Sequence, residues 1–388
     1  MITRIEIDGF KSFLDFKLDV PPFLALIGPN SSGKSNLLDA IEYQEELFHG
    51  EGLLQGRRGR PHEQFHMVSE GDPVDRLTVV VHWLVRTPDG FVALAAEKAV
   101  ELDEGTPRFA TNDRHYGFLG EESPLPPEVR ERRWKELSTL LSDDSPAEAW
   151  VPAVDAIAGA FPPVREYVPY PQAMRGIASR ADQRPLLRHG GNLAAVLGRI
   201  SGTEAFADLM VDVVALLPDV TGLKTELDEK RQEWSFDLVI EGQGSVPSSL
   251  LSDGTLRILG LLAALHDPDH AGVLMIEEIE NGLHPGLLAE LLRRIQTRVT
   301  DLHDPDSLDR PLRQVIVTSH SPVVVSELYR TRPGALVFMD SAVRVDPDNG
   351  RVSRVSVAKP VRDEGEPGTY VSPRQVRKYL GTVRQDDP

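Results

Sequence analysis

Residues 28–35 read Gly28-Pro29-Asn30-Ser31-Ser32-Gly33-Lys34-Ser35, a complete phosphate-binding loop of the form G-x-x-x-x-G-K-S/T. Its flanks give the pattern a mechanism. Leu24-Ala25-Leu26-Ile27 before it reads as a short buried strand, and Ser35 to Tyr43 after it reads as a helix with Leu37, Leu38 and Ile41 on one face. In a strand–loop–helix unit the loop's N–H groups and the helix N-terminus hold phosphate oxygens. Lys34 then reaches the outer phosphates, and the Ser35 hydroxyl is a ligand for Mg²⁺. Residues Gly28 to Ser35 and the following Asn36 are therefore the expected nucleotide contacts.

Working outward, Ile5 and Ile7, then Phe16, Leu18 and Val20, alternate with polar residues, so residues 1–20 read as a hairpin turning at Gly9-Phe10-Lys11-Ser12-Phe13. Leu77 to Val85 and Phe91 to Ala99 are strand-like. Prolines cluster after residue 119, between helical patterns at Val129 to Leu141, Asn192 to Ile200 and Glu204 to Leu217. Strand patterning resumes at Trp234 to Ile240, and strands and helices alternate from Leu250 onward. The expected organisation is an N-terminal lobe (1–118), a mainly helical insert (119–235), a C-terminal lobe (236–334) and an extension (335–388). Strands alternating with helices predict an α/β core with a mainly parallel sheet.

The 388 residues carry a formal charge of −18, which argues against sequence-independent DNA binding as the main task, because that surface is normally basic. There are no cysteines, which removes disulfides and thiolate chemistry and fits a cytoplasmic setting. No apolar run approaches the roughly 20 residues that span a bilayer, so no membrane association is expected.

A phosphate loop alone does not choose among nucleotide-dependent activities, but three downstream elements narrow the choice. Val273-Leu274-Met275-Ile276 is a buried strand ending in Glu277 and Glu278. Adjacent acids at a strand end face different ways, so Glu277 can serve Mg²⁺ and Glu278 the attacking water. Leu251-Ser252-Asp253-Gly254-Thr255 places an N-capping serine before a helix. Val315-Ile316-Val317-Thr318-Ser319 is a β-branched strand delivering His320. Taken singly, each has a bland reading: solvated acids, an ordinary cap, a lone histidine. Their order along one chain is what points to a site.

With these motifs the chain resembles the ATP-binding-cassette heads of the SMC and RecF group, and within it the bacterial stand-alone ATPases related to the overcoming-lysogenization-defect family. That group also writes its signature Leu-Ser-Asp-Gly-Thr, and continues its acidic strand into a run present here as Glu280-Asn281-Gly282-Leu283-His284-Pro285. The resemblance implies a P-loop NTPase fold of the ABC-head type with an inserted helical lobe. It implies ATP and Mg²⁺ as cofactors and hydrolysis to ADP and phosphate. Lys34, Glu278 and His320 become the catalytic set, and Ser35 and Glu277 the metal side. Gln172 is the candidate for the cassette's glutamine. This sequence departs from the pattern at Asp253, where most heads have glycine, at Glu277 in place of aspartate, and at Ile279 in place of proline.

In such heads the signature of one protomer faces the nucleotide of another. The resemblance thus implies an ATP-dependent homodimer, with larger assemblies built from it, in which Ser252, Asp253, Gly254 and Thr255 act in trans. The chain after His320 is short for the nuclease that overcoming-lysogenization-defect relatives carry. A regulatory ATPase working with a separate effector, in phage defence or DNA maintenance, is the expected role. Two other readings stand beside it. One is an ATP-gated clamp on nucleic acid, drawing on Arg57, Arg58 and Arg60, on Arg130, Arg132, Arg133 and Lys135, or on Arg175, Arg180, Arg184 and Arg188. The other is a zinc peptidase, from His62-Glu63-Gln64-Phe65-His66, which matches H-E-x-x-H.

Overall fold

A computed structural model describes residues 1–45, 61–68, 73–87, 90–103, 106–111, 117–118, 163–270, 272–347 and 350–383. The Arg57–Arg60 loop, the Val129–Leu141 pattern with its basic residues, and the boundary expected at 118/119 lie wholly or partly outside them. In chain order the first strands are β1 (Ile2–Asp8), β2 (Phe16–Asp19) and β3 (Phe23–Ile27), followed by α1 (Lys34–Glu45) and strands β4 (Arg76–Thr87), β5 (Gly90–Asp103), β6 (Thr106–Thr111) and β7 (Gly117–Phe118). Next come β8 (Val164–Tyr167), α2 (Pro171–Met174), β9 (Ala178–Ser179), α3 (Leu193–Ile200), α4 (Glu204–Leu216), β10 (Val220–Asp228), β11 (Glu233–Ile240) and β12 (Gly244–Pro247). The chain continues through α5 (Asp253–His266), β13 (Gly272–Ile276), α6 (Pro285–Arg298), α7 (Pro305–Leu308), β14 (Arg313–Ser319), α8 (Pro322–Thr331), β15 (Leu336–Val345), β16 (Val352–Pro360) and α9 (Pro373–Val383).

These elements divide into two units, Met1–Val164 with Val299–Pro388, and Arg165–Arg298. In the first unit, β1 and β2 form the antiparallel hairpin expected from their alternation, pairing Ile5 with Leu18 and Ile7 with Phe16. They extend a sheet in the order β2-β1-β4-β5-β6, with β7 beside β5. A second sheet of this unit runs β16-β15-β3-β14. Here β14 and β15 lie parallel to β3 on either side, and β16 is antiparallel to β15. All five residues of β3 are buried, as are the last six of β14, so both faces of these central strands are covered. That is why they read as continuous apolar runs rather than alternating ones. Gln314, 1% exposed, ties the first strand to this sheet. Its Nε2 donates to the carbonyls of Ile2 (2.7 Å) and Pro21 (3.0 Å), and its Oε1 accepts from the Ile2 N–H (2.7 Å). The buried amide is thus fully used.

In the second unit, β10-β11-β12 form an antiparallel sheet with β9 at β11, and β8 and β13 lie side by side. Helix α3 is buried at every position but Arg199, and α5 from Ile258 to His266. The described part of the stretch expected as a mainly helical insert holds the two expected helices, α3 and α4, but also β8, β9, β10 and the first three residues of β11. Sequence patterning hid β10 because it presents Lys224, Glu226 and Asp228 among only two buried residues, Val220 and Leu223. The boundary expected at 235/236 falls within β11.

Candidate functional site

The phosphate loop leaves β3 at Ile27, whose parallel partners are Ser319 of β14 and Phe338 of β15. Loop and His320 therefore stand at the carboxyl ends of adjacent parallel strands, the usual ligand-binding edge of an α/β sheet. The Gly28 N–H donates to the Ser319 carbonyl (3.3 Å), joining the two turns. His320 is exposed, and Ser321 caps α8 by accepting from the Val323 N–H (3.2 Å). A cavity of about 480 Å³ opens on Gly28, Pro29 and His320, and its lining includes Tyr370, Gln375 and Tyr379 of the C-terminal segment.

Within the loop, the Lys34 ammonium donates to the carbonyls of Gly28 (2.7 Å) and Pro29 (2.9 Å). Ser31 (φ 65°) and Gly33 (φ 95°) turn the backbone through left-handed conformations, which shapes the loop before α1 begins at Lys34. Both loop glycines are sterically required. A Cβ on Gly28 would lie 2.3 Å from the Met339 carbonyl oxygen, and one on Gly33 would lie 2.0 Å from Ser356 Oγ. The Ser32 hydroxyl is buried with no partner among the described residues. A held ammonium, an orphaned hydroxyl and a glycine-lined cradle at a helix N-terminus fit a nucleotide triphosphate with Mg²⁺.

The other motifs belong to the second unit. Ser252 is exposed and caps α5, accepting from the Thr255 N–H (3.1 Å) and sharing a hydroxyl–hydroxyl bond with Thr255 Oγ1 (2.8 Å). A Cβ on Gly254 would come 3.0 Å from the Gly282 carbonyl oxygen, so this glycine also serves the packing of the loop after the acidic strand. Glu277 and Glu278 follow β13 as expected, both half-buried. Glu278 has φ 50°, a left-handed conformation rare for a glutamate. It is held by Asn281, whose N–H donates to the Glu278 carbonyl (2.9 Å) and whose Nδ2 donates to its Oε2 (2.5 Å). A strained acid fixed by its own turn is a common feature of reactive sites.

Gln172 is exposed on α2, in the second unit, three residues before Arg175. The four arginines named for a nucleic-acid surface here each meet an acid: Arg175 with Asp253 (2.7 Å), Arg180 with Glu229 (3.5 Å), Arg184 with Asp182 (2.8 Å), and Arg188 with Glu166. They form paired contacts rather than an open basic stripe.

The zinc-peptidase expectation is corrected. H-E-x-x-H needs an α-helix carrying both histidines on one face, but the helical turn is a 3₁₀ segment, Pro61–Gln64, that stops before His66. Phe65 instead bridges Phe10, and His66 Nδ1 lies 2.7 Å from the Lys11 carbonyl oxygen. Among the described residues, no group of three metal-binding side chains is gathered.

Sequence reading did not foresee the contacts of Arg175, Ser12 and Ser356, or the C-terminal wall. Arg175 carried no signal beyond its charge. Ser12 and Ser356 are ordinary polar residues whose role comes from packing. The C-terminal wall was legible in principle, since Val376, Tyr379, Leu380 and Val383 have helical spacing after Ser372, and Ser372 and Gln375 bond at the start of α9 (Oγ to Oε1, 2.9 Å).

The fold and the loop define a P-loop NTPase of the SMC-head type. A crystal structure of an Smc head bound to the C-terminal winged-helix domain of ScpA superposes with a TM-score of 0.55 at 14% identity, covering 92% of this chain and 97% of that one. The model of the family described as "AAA domain, putative AbiEii toxin, Type IV TA system" matches residues 130–326, about half of the chain, and the AAA ATPase domain matches residues 1–47. The chain belongs to the first of these families. An ATP/GTP phosphatase of Helicobacter pylori is 23% identical over 344 residues, 83% of this chain and 85% of that protein. A chromosome partition protein Smc of Methanocaldococcus jannaschii is 54% identical over 41 residues, which are 10% of this chain and only 4% of that protein. Among the described residues, no helix is long and apolar enough to cross a membrane.

Proposed function

We propose that this chain binds and hydrolyses ATP with Mg²⁺, that two copies close around the nucleotide, and that the closure acts as a switch on a separate effector protein. The observation that carries this reading is the phosphate loop and His320 at the ends of paired parallel strands, with a complete, exposed signature cap elsewhere in the same chain. The signature has no chemistry to perform alone, and meeting a second copy's phosphate loop gives it one.

In this reading Lys34 and the N–H groups of the loop hold phosphate oxygens, and Ser35 and Glu277 hold the metal. Mg²⁺, when bound, neutralises charge on the phosphates. Glu278, fixed by Asn281, accepts a proton from water. His320 donates a hydrogen bond to the outer phosphate. Ser252, Gly254 and Thr255 of the second copy add donors from the opposite side. Binding energy drawn from ATP favours the closed dimer by linkage, and loss of the outer phosphate releases it. Overcoming-lysogenization-defect-like kinship, and a role in phage defence or DNA maintenance, rest on the Leu-Ser-Asp-Gly-Thr signature and the run from Glu280 to Pro285.

The test is Glu278→Gln, measured by light scattering at saturating Mg-ATP. A stable ATP-bound dimer with turnover reduced about a hundredfold is expected. A variant that remains monomeric under those conditions would count against the closure.

A further inference from the structure

Arg175 follows α2, and the guanidinium reaches both sides of the signature serine. Its Nη2 donates to the Leu251 carbonyl (2.8 Å) and to Asp253 Oδ1 (2.7 Å), so residues 251 and 253 are held by one nitrogen while Ser252 projects between them. The arginine is anchored in turn, because its own carbonyl accepts from the Ser248 hydroxyl (3.1 Å), on the 3₁₀ turn Ser248–Leu250 that leads into the signature. Its Nη1 is buried and has no partner among the described residues.

The ion pair by itself adds little stability. The Asp253 side chain is 63% exposed, and ion pairs with an exposed member contribute little. As an acid in the first turn of α5, Asp253 already interacts favourably with the helix dipole without any arginine. What the pair changes is the charge presented beside Ser252. An unpaired carboxylate there repels a triphosphate, in a chain that is already strongly acidic. A guanidinium bound to it cancels that charge, and the bond to Leu251 fixes the extended turn (Ser252 φ −65°, ψ 155°) from which the cap acts.

We infer that Arg175 is the positioning residue of the signature: it neutralises Asp253 and holds the 251–253 turn, so that Ser252 can meet a phosphate. This rests on the ATPase reading above, and it explains how a signature with aspartate in place of glycine remains usable.

The experiment uses the full chain with Arg175→Ala, Arg175→Lys, Asp253→Gly and the Arg175→Ala/Asp253→Gly pair. For Arg175→Ala, kcat is expected to fall about tenfold while KM for Mg-ATP stays near wild type, since the nucleotide is bound by the phosphate loop. Arg175→Lys keeps the charge without the fork and should fall between. Asp253→Gly in the Arg175→Ala background should restore much of the rate, because no charge is left to cancel. Hydrogen exchange on the nucleotide-free protein should show amides 251–255 losing protection in Arg175→Ala. Unchanged protection there, an unchanged kcat, or a double variant as slow as Arg175→Ala would each overturn the inference. A wild-type protein without turnover would instead sink the ATPase reading, and the exchange measurement would still judge Arg175.

Discussion

Ser356 occupies the space that a side chain on Gly33 would need, with its Oγ 2.0 Å from where that Cβ would lie. The contact belongs to a small polar weld. Ser356 Oγ donates to Ser12 Oγ (2.8 Å), the Ser356 N–H donates to the Ser12 carbonyl (2.7 Å), and Asn36 Nδ2 donates to Ser12 Oγ (2.9 Å). The turn after β1, the phosphate loop with its helix, and the C-terminal hairpin are therefore one packed object.

Gly33→Ala should be severe for two separable reasons. A φ of 95° strains any side chain, and the new methyl meets Ser356. A loss of about 2–4 kcal/mol from the first unit is expected, with loss of nucleotide binding measured by a fluorescent ATP analogue. Adding Ser356→Gly should recover only the steric part of the melting temperature. Full recovery would show that the backbone conformation is not a constraint.

Asn281→Ala tests whether the carboxylate of Glu278 must be held. The substitution removes the Nδ2 donor to Oε2 but keeps the backbone bond that forms the turn. A fall in kcat of about tenfold with an unchanged KM is expected if Glu278 is the base proposed above, because the group lost then acts on that base and not on nucleotide binding. Asn281→Asp, which sets a second negative charge against Glu278, should be worse than alanine.

What could be read from sequence, and what could not, divides along physical lines. The strand before Gly28, the hairpin of residues 1–20 and the strand before His320 have strong periods, because each buries a whole face or both faces. The cap at Ser252 was legible because an N-cap is a local bond over three residues. Arg175–Asp253 spans 78 residues and Ser12–Ser356 spans 344, and no local pattern encodes either. The H-E-x-x-H match misled for the complementary reason. The string has the right letters, but Phe65 is captured by Phe10 and the helix cannot continue.

Asp212→Asn should destabilise the second unit. The carboxylate joins three helices, accepting from His266 Nε2 (2.7 Å), Arg294 Nη1 (3.1 Å) and Arg298 Nη2 (3.4 Å), with its side chain 4% exposed. Removing its charge leaves two guanidinium groups without their central partner, a cost of about 3 kcal/mol by denaturant unfolding at neutral pH. Burial pushes the Asp212 carboxyl up, but the His266 bond and charge, then Arg298 and Arg294, outweigh it and hold the group below the ordinary carboxylate range. Its contribution is thus complete above the unfolded value of about 4 and is lost as pH falls through the lowered folded value. The gap between wild type and variant should persist down to that acid range and close only below it.

The first unit should weaken at a milder pH, through histidines rather than carboxylates. Burial pulls His66 and His82 below the ordinary imidazole value, more than the Lys11 carbonyl and Asp8 raise the first, or Glu6 raises the second. His66 Nδ1 faces the Lys11 carbonyl and so carries the proton, while Nε2 is buried with no partner among the described residues. Acid must therefore place a charge on an enclosed nitrogen. With folded values below the unfolded value of about 6.5, the unfolded chain takes up protons first, and stability falls as pH drops below that point. Above it, these two groups contribute no slope. Urea unfolding followed from pH 8 to pH 5 should show a plateau and then a decline in the first unit. His66→Gln, which keeps a donor for the Lys11 carbonyl and cannot titrate, should flatten that decline. An equally steep decline in the variant would place the acid sensitivity elsewhere.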